Sequence, residues 1–224
     1  MRAVLVGNSP VLSAARLRLW AAESDFVVGV DGGAARLIAC GLRPTHVMGD
    51  FDSLSPADLA DAETAGASIV ELADQDYTDI DKSIRYAIHD LGSTQIAIFG
   101  VSGGRLDHML TALNALAKYG HLADVRIVDD DAETLSINGI RRFYGVNLRG
   151  RTLSLMPLGD VDGVTLTGVK WPLVDARLGP GGCDGTSNVI TADVVTVQCA
   201  RGSLLVSLHH AASSEAISLP KERS

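Results

Sequence analysis

Aromatic side chains make up only 4% of the 224 residues, so Ala, Val, Leu and Ile must fill the interior. Cysteine is scarcer still. Cys40, Cys183 and Cys199 are odd in number, far apart and without Cys-x-x-Cys spacing, which argues against a disulfide framework or a zinc site. They read as buried or incidental thiols. Basic residues are outnumbered, 19 Lys and Arg against 27 Asp and Glu, giving a net charge of −8. That balance disfavours non-specific binding to nucleic acid or anionic membrane, because both need clustered cations. No apolar run approaches the roughly 18 residues of a membrane span, and Met1 to Leu12 lacks the layout of a signal peptide. The expectation is a cytoplasmic protein with neither nucleic acid nor membrane as partner.

What is present is ordinary globular composition, 46% hydrophobic and 21% charged. Over the first 130 residues, short β-branched runs alternate with helical patterns, the signature of βαβ units and a mainly parallel sheet. Candidate strands are Ala3 to Val6, Phe26 to Val30, Thr45 to Met48, Ser68 to Val70, Gln95 to Phe99 and Val125 to Val128. The clearest helix is Asp79 to Leu91, with Ile80, Ile84, Ile88 and Leu91 at helical spacing and Thr78 as N-cap. Beyond about residue 132, short strand-like runs punctuated by glycine replace the helices: Glu133 to Asn138, Thr152 to Met156, Val161 to Val169, Val194 to Cys199 and Ser203 to Leu208. The expected fold is an α/β domain over residues 1–130, an all-β sandwich over 131–212 and a flexible tail from 213 to 224. Leu178 to Ser187 reads as a loop.

Ligands of open α/β sheets sit outside the carboxyl ends of the strands, and the chemistry-bearing residues fall there. One strand ends in Asp31-Gly32-Gly33-Ala34 and the next in Gly49-Asp50-Phe51-Asp52-Ser53. Asp76, Asp79 and Lys82 follow the fourth strand, and Gly103-Gly104-Arg105-Leu106-Asp107-His108 follows the fifth. If the third strand runs on through Asp52, Asp50 and Asp52 share a face, their charges roughly 6 to 7 Å apart. At an effective dielectric near 20 their repulsion is about 2 to 3 kcal/mol, which a shared cation would offset. Each piece has a plainer reading as a turn, a helix cap or a response to the helix dipole. Together they favour Mg²⁺, since a hard cation takes carboxylate oxygens and no Cys and His cluster competes. The glycines would let backbone N–H groups approach phosphates, with Lys82 and Arg105 supplying charge.

These residues, together with Val169-Lys170-Trp171-Pro172-Leu173 and Ser187-Asn188, resemble the thiamine pyrophosphokinase family, in the family's order and across residues 31 to 188. Ser83 stands where the resembling motif commonly has alanine. The resemblance implies an N-terminal α/β domain, a C-terminal β-sandwich and a homodimer whose active sites use both subunits. It implies transfer of a pyrophosphoryl group from ATP to the hydroxyethyl oxygen of thiamine, giving thiamine diphosphate and AMP. Carried onto this sequence, Asp50, Asp52, Asp76 and Asp79 would be the Mg²⁺ ligands. Asp52, Asp76, Asp79 and Asp107 would be catalytic, Asp107 beside the reacting hydroxyl. Asp31, Gly32, Gly33, Lys82 and Arg105 would serve the nucleotide, and Trp171, Ser187 and Asn188 the thiamine. The competing classes are a metal-dependent phosphohydrolase of the haloacid-dehalogenase kind and a non-catalytic nucleotide- or thiamine-binding regulator. The first would place its Asp-x-Asp after the first strand, not the third, and the second would have lost acids that are present here.

Overall fold

The computed structural model describes residues 1–51, 54–74, 76–145, 147–183 and 185–211. It divides into two compact units, Met1–Asp130 and the chain from Asp131 onward.

The first unit alternates β1 (Arg2–Val6), α1 (Ala14–Ala22), β2 (Phe26–Val30), α2 (Gly33–Ala39), β3 (His46–Gly49), α3 (Pro56–Thr64), β4 (Ser68–Glu71), α4 (Asp79–His89), β5 (Gln95–Phe99), α5 (Leu106–Tyr119) and β6 (Asp124–Val128). All its strand pairs are parallel, in the order β6-β5-β1-β2-β3-β4. The central strands are apolar runs rather than alternating ones, as strands covered on both faces must be. Val4, Leu5, Val28, Ile96, Ile98 and Phe99 of the strands are buried, as are Leu17, Leu37, Ile84 and Leu116 of the helices. The sheet grows from β1 in both directions, β2 to one side and β5 to the other, which makes the carboxyl ends near β1 a topological switch point. At that edge a Cβ on Gly33 would lie 1.7 Å from the carbonyl oxygen of Val6. Only glycine lets α2 start so close to the end of β1.

α4 is amphipathic, and its helical spacing of Ile80, Ile84 and Ile88 comes with complete burial of Ile84 and Ala87. Thr78 caps it, accepting from the backbone N–H of Asp81 at 3.4 Å. The helix lies across β1, β2 and β3, strands far from it in sequence. Ser83 is fully buried on this helix and its hydroxyl has no hydrogen-bond partner. An unsatisfied buried hydroxyl costs stability, so Ser83→Ala is expected to raise the unfolding free energy by about 1 kcal/mol, read from a denaturant midpoint.

The strands of the second unit pair antiparallel: β7 (Ala132–Tyr144), β8 (Thr152–Pro157), β9 (Val161–Thr167), β10 (Leu173–Leu178), β11 (Gly185–Val189) and β12 (Val194–His209). The expected strands Val194 to Cys199 and Ser203 to Leu208 are the two halves of β12, whose pairing with β7 shifts register between Cys199 and Leu204. The first half also pairs with β9 and the second with β8, so one bent strand serves two partners. Leu135, Ile137, Phe143, Leu153, Leu155, Leu166, Val195, Val197 and Val206 form the core between them. The expected loop from Leu178 to Ser187 needs correction at both ends, because Leu178 closes β10 and Gly185–Val189 forms β11 against β8. Neither strand has an alternating pattern; partners, not propensity, extend them. The tail, Asp52, Ser53 and Gln75 lie outside the described residues. Among those described, no helix is long and apolar enough to cross a membrane.

Candidate active site

Three carboxylates from three separate segments meet at the carboxyl edge of the parallel sheet. Asp31 follows β2, Asp50 follows β3 and Asp79 opens α4, with one oxygen from each lying within 4.8 Å of the others. The expectation that β3 continues through Asp52 is not met: the strand ends at Gly49, and Phe51 takes a left-handed φ of 63°. Asp50 therefore acquires its partners from β2 and α4. Phe51 turns into an apolar cluster with Ala34, Val47 and Leu54, which anchors the turn and keeps Asp50 at the rim.

Asp31 is itself left-handed, with φ 47°, a conformation that Asp tolerates better than most residues. Its backbone N–H donates to the Met48 carbonyl at 2.9 Å, joining the ends of β2 and β3, and its carboxylate accepts from the Phe51 N–H at 3.4 Å. A Cβ on Gly49 would lie 1.7 Å from Asp31 Oδ1, so the residue before Asp50 has to be glycine for Asp31 to reach the site. Burial pushes the Asp31 carboxyl up to about 7 from 3.8. Repulsion from Asp79, a hydrogen bond shared with Asp79 and repulsion from Asp50 add to it, against the opposing Phe51 N–H.

Lys82, one turn into α4, is almost wholly buried, with Nζ 2.6 Å from Asp79 Oδ1. It also donates to the Leu72 carbonyl at 2.7 Å. The approach to Asp79 Oδ1 is ionic by distance, but that buried oxygen accepts no well-angled hydrogen bond. Lys82 is thus committed within the protein, holding Asp79 against the end of β4. The resulting donor set is all oxygen, crowded and short of positive charge. It fits a hard divalent cation such as Mg²⁺ on chemical grounds.

The other sequence-identified residues are placed differently. Asp76 is exposed and donates its N–H to Asp74 at 2.9 Å. Arg105 and Asp107 are exposed and bonded to one another, Nε to Oδ1 at 3.1 Å and an Nη to Oδ2 at 2.5 Å. Arg105 holds the Asp107 carboxyl down at about 2. Neither Asp76 nor Asp107 belongs to the three-carboxylate cluster. Gly32 and Gly33 are buried at the end of β2, where an added Cβ would meet Asn8 and the Val6 carbonyl. Asp52 lies outside the described residues.

In the second unit Trp171 is 53% exposed, its ring beneath Lys170 Nζ at 4.5 Å. Asn188 is buried and clamps the Trp171 backbone: Oδ1 accepts from the Trp171 N–H at 3.1 Å and Nδ2 donates to its carbonyl at 2.6 Å. Oδ1 also accepts from the Val189 N–H at 2.9 Å. Ser187, exposed with φ 59°, donates its N–H to Ser154 Oγ at 3.0 Å. Asn188→Ala is expected to cost about 1 to 3 kcal/mol, because it strands buried backbone groups, and to release Trp171. A denaturation midpoint and Trp171 fluorescence anisotropy would check both parts.

Residues 17–128 match the family description "Thiamin pyrophosphokinase, catalytic domain", and residues 141–204 match "Thiamin pyrophosphokinase, vitamin B1 binding domain". The chain belongs to the thiamin pyrophosphokinase family. The thiamine pyrophosphokinase of Bacillus subtilis (strain 168) is 31% identical over 192 residues, covering 82% of this chain and 87% of that protein. Thiamine pyrophosphokinase 2 of Arabidopsis thaliana is 32% identical over 165 residues, which is 70% of this chain and 62% of that protein. Among solved structures, the thiamin pyrophosphokinase of Geobacillus thermodenitrificans superposes with a TM-score of 0.79 at 28% identity, covering 95% of this chain and 99% of that one. Membership makes the chain an enzyme of the thiamine pyrophosphokinase kind, with α/β and β-rich parts as the sequence indicates. Asp31, expected from the sequence to serve the nucleotide, instead groups with Asp50 and Asp79. The one sequence signal for that grouping was its place at the end of the strand next to β3.

Proposed function

We propose that the chain transfers a pyrophosphoryl group from ATP to the hydroxyethyl oxygen of thiamine, with Asp31, Asp50 and Asp79 holding Mg²⁺. The observation that carries the metal assignment is the convergence of these three carboxylates within 4.8 Å. When bound, the cation would supply charge neutralisation for the triphosphate. The protein's own part is positioning. β2, β3 and α4 hold three acids at one rim, and the buried Lys82 keeps Asp79 in place. Asp52 and Asp76 are proposed as further acids of the same phosphate site on the family pattern.

Asp107 is proposed to orient the thiamine hydroxyl. A carboxylate held at about 2 by Arg105 is a poor proton acceptor near neutrality. Arg105, largely exposed, is proposed to meet the phosphates with its remaining N–H donors while it stays paired with Asp107. Trp171 would offer an electron-rich face to the cationic thiazolium, worth roughly 0.5 to 2 kcal/mol. Ser187 is proposed to line the thiamine pocket with Trp171, while Asn188, its neighbour in sequence, serves by holding Trp171. A homodimer and a cytoplasmic location complete the proposal; light scattering and cell fractionation check them.

The decisive assay supplies thiamine, ATP and Mg²⁺. AMP and thiamine diphosphate are expected to appear in equal amounts, and chelation by EDTA is expected to stop both. Release of ADP or free phosphate in place of AMP would overturn the reaction assignment.

A further inference from the structure

A second charged constellation lies on the opposite side of α4 from Asp79. Asp81, two residues along the helix, is 7% exposed and accepts three hydrogen bonds. Lys118 Nζ donates to both of its oxygens, at 3.0 and 2.9 Å, and Tyr119 Oη donates at 2.6 Å. Both donors come from the last turn of α5. A buried carboxylate needs partners of this kind, since an ion taken out of water without them is costly. Their position at one end of α5 makes the contact a fixed joint between the two helices.

Lys118 does more than satisfy Asp81. Its ammonium also lies 4.2 Å from the ring centroid of Tyr77 and 5.0 Å from that of Tyr119. Arg85, from the next turn of α4, lies 5.4 Å from the Tyr77 centroid and reaches Asp74 at 3.4 Å. Asp74 in turn accepts the Asp76 N–H at 2.9 Å. Tyr77 is 43% exposed, so no core packing fixes its ring. Among the described residues, two cations, one from each helix, lie against it. Tyr77 directly precedes the N-cap Thr78, and Asp79 follows as the first residue of α4. The hold on Tyr77 is therefore a hold on the peptide that delivers Asp79 to the acid cluster.

We propose that Lys118, seated on Asp81, is a positioning residue that fixes the Asp76–Tyr77–Thr78 segment through the Tyr77 ring and so sets Asp79 within the three-carboxylate site. The link to the metal rests on the function proposed above; the hold on the segment does not. Electrostatic attraction between an ammonium and an aromatic face is directional enough to order an otherwise exposed ring. Lys118→Met removes it and also strips Asp81 of two hydrogen bonds. Tyr77→Leu removes only the ring and leaves the buried Asp81 pair intact, so it separates positioning from folding. Tyr77→Phe keeps the ring.

The test measures amide hydrogen exchange over residues 76–82 and Mn²⁺ affinity by electron paramagnetic resonance, both without substrate. Tyr77→Leu and Lys118→Met are expected to speed exchange in the segment and to weaken Mn²⁺ binding by about three- to tenfold, in the range of coupling through a packed network. Tyr77→Phe and Lys118→Arg are expected to stay close to wild type in both. Unchanged exchange in Tyr77→Leu would overturn the proposal, as would faster exchange with Mn²⁺ affinity intact. Failure of the wild-type protein to bind Mn²⁺ would count against the metal assignment, and the exchange comparison would still decide the hold on Tyr77.

Discussion

Asp79→Asn is expected to lower pyrophosphoryl transfer by about 10²- to 10³-fold at saturating substrates, the scale on which one aimed electrostatic group acts in a water-poor site. The substitution keeps shape and an oxygen acceptor but removes the charge that faces both Asp31 and Lys82. Its second effect is on stability. Lys82 is left nearly buried with the Leu72 carbonyl and an amide oxygen as acceptors, so unfolding free energy is expected to drop by about 1 to 3 kcal/mol. Turnover measured well below the melting temperature, with the urea midpoint taken in parallel, separates the two. Loss of stability with transfer preserved would mean that Asp79 is a structural partner of Lys82 and not part of the reacting site.

The second large effect concerns Asp31 and has a definite sign. In the unfolded chain its carboxyl ionises near 3.8, whereas in the fold burial and neighbouring acids raise it to about 7. Between those values the folded state binds more protons than the unfolded one, so this group's contribution is greatest at low pH. It is lost as pH rises toward 7. Discounted for the part of the side chain that remains in water, the loss is about 1 to 2 kcal/mol. An asparagine amide in its place cannot ionise, and asparagine accepts the left-handed backbone as readily as aspartate. In EDTA at pH 8, Asp31→Asn is therefore expected to be more stable than wild type, with the advantage shrinking at pH 4.5. With millimolar Mg²⁺ at pH 8 the order is expected to reverse, because the cation compensates the charge that made ionised Asp31 unfavourable. Urea melts at the two pH values, with and without Mg²⁺, measure all four cases. Parallel pH dependences for the two proteins would show that Asp31 carries no such burden.

How the site could be read from sequence follows from what each residue needs. Phe26–Val30 and Gln95–Phe99 match the expected strands residue for residue, since short apolar runs rich in Val and Ile and bounded by turn residues have one good solution. Thr78 and Ile84 were legible for the same reason, as local capping and helical spacing specify α4. The pairing of Asp50 with Asp52 depended on one backbone angle, and Phe51 took the other side of the Ramachandran map because its ring finds an apolar cluster. Lys82 looked like a phosphate ligand, but its burial and its bond to Leu72 commit it to the interior. β10 and β11 had no pattern of their own and were missed, because they exist by pairing.

Composition and motif order by themselves determined the family, the α/β and all-β halves, and the placing of acids at strand ends, since all of these are recorded in near neighbours along the chain. Which acids share a site was decided only in three dimensions. Asp31 and Asp50 meet because β2 and β3 pair in parallel, and Asp79 joins them because α4 crosses back over those strands. The physical reason is that charges interact through space and desolvation, while a sequence records only separation along the chain.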